Sequence, residues 1–269
     1  MCYAAMILGD RQMNRPLCAL VTMLLAGTTA LAADLAPLPY RTPPPVLATV
    51  FTWTGLYIGG TIGGAATSIN ELWSPTIGVF PILGSTGGAS FAAGFQAGYD
   101  WQFAPTWVAG IEGDWSRANA SGNINQPWVL YPSGVAVPGS FTTMGSTMDW
   151  LSSLRARLGY LVRPNLMVYG TMGGAWGKVD YTASNFAPLA PAYATSAAFS
   201  NIQGGRVAGG GLEWAIAPNW LLRGEYLLCS LSGFPSVVAA SDNYPTSPSR
   251  YSWSNTNAGT ARLGLSYKF

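Results

Sequence analysis

The strongest signal along the chain is alternation of apolar and polar positions with a period of two. In GASFAAGFQAGYDWQF, Gly88 to Phe103, the residues Phe91, Ala93, Phe95, Ala97, Tyr99, Trp101 and Phe103 share one face, and Gln96, Asp100 and Gln102 share the other. In Thr106 to Ala118, Trp107, Ala109, Ile111 and Trp115 oppose Glu112 and Asp114. In Met148 to Val162, Trp150, Leu154, Leu158 and Tyr160 oppose Arg155 and Arg157. In Asn219 to Ser230, Trp220, Leu222, Tyr226 and Leu228 oppose Arg223 and Glu225. Successive side chains of a strand point to opposite faces, so each segment predicts a strand with one apolar face. Thr54–Thr67, Asn165–Lys178 and Gly204–Ala217 follow the same rule less cleanly, and about Thr256–Phe269 completes eight strands.

The connections alternate in length. Ala104-Pro105-Thr106, Arg163-Pro164-Asn165 and Ala217-Pro218-Asn219 predict tight turns. The other connections, about 68–87, 119–147, 180–203 and 231–255, are long and rich in Gly, Ser, Asn and Pro. Short turns at one end and long loops at the other predict an all-β, eight-stranded antiparallel up-and-down barrel that spans an outer membrane. Its turns are periplasmic and its loops extracellular.

Composition decides which face points outward. Charged residues make up only 9% of the chain, against about 25% in ordinary soluble proteins. An interior holding Phe, Trp, Tyr and Leu from every strand would overfill eight strands and leave a sparse exterior. Small and charged residues inside, with aromatics and Leu toward lipid, fit both volumes. The apolar-inside arrangement, a periplasmic ligand-binding calyx, is the soluble alternative. The net charge of +2 is too small to imply a nucleic-acid partner.

The first part of the chain reads separately. Met13 to Ala32 has a basic start, an apolar run and the ending Ala30-Leu31-Ala32, so residues 1–32 predict a secretory signal with Met13 as its start. Residues 33–50, with Pro37, Pro39, Pro43, Pro44 and Pro45, predict an extended periplasmic linker, read as a spacer in preference to a partner-binding arm. The barrel is then residues 51–269. Once Cys2 and Cys18 leave with the leader, Cys229 stands alone, which predicts a small lumen filler without a disulfide.

The search for chemistry returns little. The chain has no His, so it holds no Ser-His-Asp triad, Cys-His pair or His metal site. GGTIGGA and AGGGLEW lack the lysine and the strand-to-helix context of a nucleotide loop. No cofactor and no catalytic role is expected. Glu112, Asp114, Arg155, Arg157, Arg223, Glu225 and Arg262 instead predict a structural charge network in the lumen. In it Glu112 and Asp114 pair with Arg155 and Arg157, and Glu225 pairs with Arg223 and Arg262. The loop aromatics Trp128, Tyr131, Tyr193 and Tyr244 are expected to be exposed and available for contact.

Three stretches carry a family resemblance. FTWTGLYIGGTIGGA (Phe51 to Ala65), GGRVAGGGLEWAIAPNWLLRGEYLL (Gly204 to Leu228) and ARLGLSYKF (Ala261 to Phe269) resemble the first, sixth to seventh and eighth strands of the small outer-membrane immunogenic proteins of Gram-negative bacteria, a porin-like family. The resemblance implies an outer-membrane location, roles in envelope integrity and surface interaction, and contact with outer-membrane lipid and lipopolysaccharide. It also implies insertion by the barrel assembly machinery, for which Leu263, Leu265, Tyr267 and Phe269 resemble the carboxy-terminal signal. Some relatives bind haemin; without His this chain lacks the commonest haem ligand. A narrow solute channel is the alternative function. The oligomeric state is left open.

Overall fold

The structure, a computed structural model, describes residues 51–76, 78–233, 235–241 and 244–269. The expected signal (1–32, starting at Met13) and the linker (33–50) lie outside the described residues. The described strands are β1 (Gly55–Ser74), β2 (Ile82–Ala104), β3 (Trp107–Gln126), β4 (Phe141–Arg163), β5 (Leu166–Phe186), β6 (Thr195–Ala217), β7 (Trp220–Ser232), β8 (Ser236–Ser241), β9 (Tyr244–Trp253) and β10 (Thr256–Lys268).

Neighbouring strands pair antiparallel, and β10 pairs with both β7 and β1, so β1 to β7 and β10 close a ring of eight. Following cross-strand partners once around, from Ile58 through Ala97, Gly113, Leu154, Gly174, Arg206, Ser230 and Asn257, returns to β1 at Ser68, ten residues further on. This stagger tilts the strands and sets the bore, leaving room for side chains. Pro105-Thr106, Pro164-Asn165 and Pro218-Asn219 make the three short turns at one end. Closure is sealed there by the Phe269 N–H, which donates to the Leu56 carbonyl at 2.9 Å.

At the other end the strands outrun their apolar pattern. The ladder of β1 and β2 continues to Trp73 opposite Ile82, and that of β3 and β4 to Gln126 opposite Thr142. Most of the residues expected as long loops are therefore strand. The extensions carry Gly, Ser, Thr and Asn outward (Ser85, Gly87, Asn119, Ser121, Asn123) and apolar residues such as Ile69, Trp73, Ile82 and Met144 inward, so the apolar face changes side along the strand and the outward apolar periodicity stops. Residues 231–255, also expected as loop, hold the hairpin β8–β9. Above the last β10 partner of β1, β9 takes over its edge, with Glu71 opposite Trp253.

Outward side chains follow the alternation. Trp101, Phe103, Trp107, Tyr160, Trp214, Trp220, Tyr267 and Phe269 ring the short-turn end, all exposed. The alternation breaks once, at a bulge of β4 between Met148 and Trp150. Buried residues are even-numbered above it (Thr142, Met144, Ser146, Met148) and odd-numbered below (Leu151, Ser153, Arg155, Arg157). The extra residue lets both halves of β4 face the same interior.

Gly173, opposite Arg155, leaves no room for a side chain: a Cβ there would lie 2.0 Å from the Leu154 carbonyl oxygen and 2.7 Å from the Arg155 Cα. At Gly170 the nearest atom would be 4.0 Å away. Gly173→Val is expected to lower the unfolding midpoint in detergent by about 1–3 kcal/mol, as overpacking does, whereas Gly170→Ala is expected to leave it unchanged. Urea titration followed on a gel that separates folded from unfolded barrel checks the contrast.

Candidate functional site

The barrel interior is stacked in three layers. Read along β7 from the short-turn end, inward residues are Leu221, then Arg223 and Glu225, then Leu227, Cys229 and Leu231, all buried. β3, β4 and β6 repeat the order, with Val108, Leu161 and Ala215 below the charges and Ala118, Leu151 and Val207 above them. A lower apolar layer contains Trp53, Val108, Leu161, Met167 and Leu221. An upper one contains Ile69, Trp73, Trp128, Met148, Val179 and Trp253. Charge lies between them.

All seven network residues expected from sequence reach that middle layer and are buried. Arg155 binds Glu225 and Glu112, and reaches the Asp114 Oδ2 at 2.8 Å. Arg262 bridges Asp114 and Glu225, at 3.2 Å from each. Two of the expected pairings, Arg157 with Glu112 and Arg223 with Glu225, are present as the longer contacts of their guanidinium groups, beside nearer partners. The near partner of Arg157 is Glu213, with Glu112 and Asp100 both at 3.6 Å. Arg223 engages Glu112 and Glu213, and Glu225 lies 3.9 Å away. The reason is geometric: in a narrow tube a long guanidinium reaches across the bore as easily as to the adjacent strand.

Sequence reasoning also left out several members. Glu213 has the inward parity of β6, but in a glycine-rich stretch that alternates poorly. Asp100 and Gln96 lie on the polar face of β2. The Tyr57 hydroxyl donates to the Glu112 Oε2 at 2.5 Å and receives the Arg157 Nη1 at 2.8 Å. The Tyr169 ring lies 4.1 Å below the Arg157 guanidinium, a cation–π contact sheltered from water. Tyrosine on an inward face reads as apolar filler, so no pattern marks these two. With Ser153, whose hydroxyl donates to Asp114 at 2.6 Å, every strand of the ring contributes a side chain to this layer.

The loop aromatics divide. Tyr131 is exposed. Trp128, expected to be exposed, is buried: it stacks on Trp73 at 5.5 Å and donates its indole N–H to the Thr142 hydroxyl at 2.9 Å. It acts as a lid on the upper layer. Tyr193 is half-buried, and the Tyr244 side chain lies outside the described residues. Cys229 packs between Val207 and Ala258. Among the described residues there is no cluster of metal-ligating side chains.

Residues 19–269 match the profile of the outer membrane protein β-barrel domain. The chain belongs to the outer membrane β-barrel proteins. It is similar to the 31 kDa outer-membrane immunogenic protein of Brucella melitensis biotype 1, with 33% identity over 248 residues, covering 90% of this chain and 95% of the relative. The same values hold for the Brucella suis protein. Among solved structures it is similar in fold to the outer membrane protease OmpT of Escherichia coli, with 10% identity, a TM-score of 0.50, and coverage of 81% and 98% of the two chains. Ail of Yersinia pestis is similar with 17% identity, a TM-score of 0.35, and coverage of 80% and 99%. This outer membrane barrel therefore sits in a Gram-negative outer membrane, with its outward apolar residues against lipid.

Above the membrane one buried carboxylate stands apart from the charge layer. Glu71 is 1% exposed; its Oε1 accepts hydrogen bonds from the Thr86 hydroxyl at 3.1 Å and the Trp253 indole at 3.2 Å, tying β1 to β2 and β9. Burial pushes its pKa up from 4.5 to about 7, against the opposing pull of those two hydrogen bonds. A carboxyl that binds its proton more tightly folded than unfolded stabilises the fold below the unfolded pKa, and that contribution fades as pH rises through the folded one. Amides of the upper β1 and β9 ladder are therefore expected to exchange more slowly at pH 5 than at pH 8, after correction for intrinsic rates. Glu71→Gln is expected to flatten the difference.

In the charge layer, Arg155→Ala is expected to destabilise the barrel by about 3–5 kcal/mol, because it strands buried carboxylates without a partner. Pairing it with Glu225→Gln is expected to recover part of the loss, and a double-mutant cycle on unfolding midpoints measures the coupling.

Proposed function

We propose that this protein is a closed, non-enzymatic barrel that strengthens the outer membrane and presents a surface for contact. The observation carrying this reading is the interior itself. A charge layer cross-braced from all eight ring strands lies between two apolar layers, and the upper one is capped by Trp128. A solute path would have to break guanidinium–carboxylate contacts in a low-dielectric bore, where an orphaned charge is costly.

Catalysis finds no support in the same residues. OmpT carries the name of a protease, but here the interior carboxylates lie against guanidinium groups, and the chain has no His to act as a base. The outward row Leu263, Leu265, Tyr267 and Phe269 is exposed along β10 and its end. In this reading the row is what the barrel insertion machinery recognises. The outer-leaflet lipids are the standing partners of the wall, and the extended strands raise the tips, with Tyr131 exposed, away from the membrane.

Planar-bilayer recording tests the proposal. The folded chain is expected to give no stable single-channel step, and removing the brace by Arg157→Ser with Glu213→Ser is expected to produce one. A reproducible step from the unaltered chain would overturn the closed-barrel reading and establish a narrow channel in its place.

A further inference from the structure

The lipid-facing wall has two different sides. On β2 to β5 its extracellular rim is aromatic, with Phe91, Phe95, Trp115, Trp150 and Trp176 turned outward, and Phe95 stacked on Trp115 at 5.6 Å. On β6, β7, β10 and β1 the rim changes character. Arg206 pairs across with Gly174, two residues from Trp176, and so lies at the level of that rim. From it a single row of cross-strand partners runs Arg206, Ser230, Asn257, Ser68, all on the outward parity of their strands. Directly opposed side chains lie about 5 Å apart, so the row is a continuous ledge of hydrogen-bonding groups.

Beneath the ledge the wall is hollow. The next outward row is Ala208, Leu228, Gly259, Ala66. These residues, with Met172 and Tyr226, line a groove of about 870 Å³. Aromatics fill this level on the other half of the barrel. The two outward cations there, Arg117 and Lys178, lie 3.2 and 3.5 Å from Asp149. Arg206 is exposed and has no carboxylate partner among the described residues. A charge on a lipid-facing strand becomes tolerable toward the interface, where an anion is within reach.

We infer that this groove is a binding site for one phosphorylated glycolipid of the outer leaflet. An acyl chain lies over Ala208, Gly259 and Ala66, its phosphate on Arg206, and its sugar hydroxyls on Ser230, Asn257 and Ser68. The inference rests on the wall being lipid-facing, as the proposed function requires. Charge complementarity selects the occupant: guanidinium presents a planar fork that suits phosphate. A second copy of the barrel related by a twofold would bring another unpaired Arg206 toward the first and supply no acid.

The test uses the full folded chain, stripped of lipid in detergent and titrated with bisphosphorylated lipid A by native mass spectrometry. One lipid per chain is expected. Arg206→Gln is expected to weaken binding about tenfold, the loss of a charged hydrogen-bonding partner, and Arg206→Lys to restore part of it. Ala208→Phe, which fills the groove with apolar volume on the lipid face, is expected to weaken binding while the protein stays heat-modifiable. Arg117→Gln is expected to bind as the unaltered chain does. Equal binding of dephosphorylated lipid A, displacement by inorganic phosphate alone, no change in Arg206→Gln or Ala208→Phe, or lipid-free dimers would each overturn the inference. A chain that binds no lipid A yet stays silent in planar bilayers removes the site and leaves the closed-barrel function standing; one that conducts removes that function instead.

Discussion

The layer of buried charge in the bore constrains everything around it. Four guanidinium groups, Arg155, Arg157, Arg223 and Arg262, face the carboxylates of Asp100, Glu112, Asp114, Glu213 and Glu225, away from water. Such groups are tolerated only if each has partners, and the partners come from strands far apart in sequence: Arg262 and Asp114 are separated by 148 positions. The layer therefore cannot form until the ring is closed, and once formed it holds the ring closed. Glycine at position 173 and the apolar layers above and below follow from the same demand, the first for room and the others for dryness.

Much of this was legible from alternation alone. The eight strands, the three short turns and the seven charged lumen residues follow from period-two patterning, because lipid on one side and a narrow bore on the other impose opposite chemistry on successive residues. What could not be read has physical causes. Above the membrane the outer face meets water and the inner face packs the upper apolar layer, so the extensions of β1 to β6 reverse the polarity of their two faces and the outward apolar stripe ends there. Trp128 looks like a loop aromatic because its burial depends on Trp73 and Thr142, which adjacency in sequence does not reveal. Glu213 hides among glycines. The contacts of Arg157 with Glu213 and of Arg223 with Glu112 depend on reach across the bore, which strand order does not encode.

The outer surface shows how little of a barrel's identity resides in its interior. Its short-turn edge is ringed by aromatics, while its upper edge is aromatic over one half and small, polar and singly charged over the other. Both halves satisfy the hydrophobic requirement of a membrane wall. Only one of them presents a shape and a charge that distinguish one lipid from another.

The bulge in β4 has a bearing on how such a chain can vary. A two-residue alternation behaves like a reading frame: inserting or losing one position turns inward residues outward for the rest of the strand. The bulge between Met148 and Trp150 is a compensated shift of that frame. Below it the frame is locked by Arg155 and Arg157, and above it by Met144 and Met148. Length changes in this strand are confined by those anchors to the bulge or to the tip. Descendants of this chain can therefore lengthen their outer ends freely while the membrane-spanning register stays fixed.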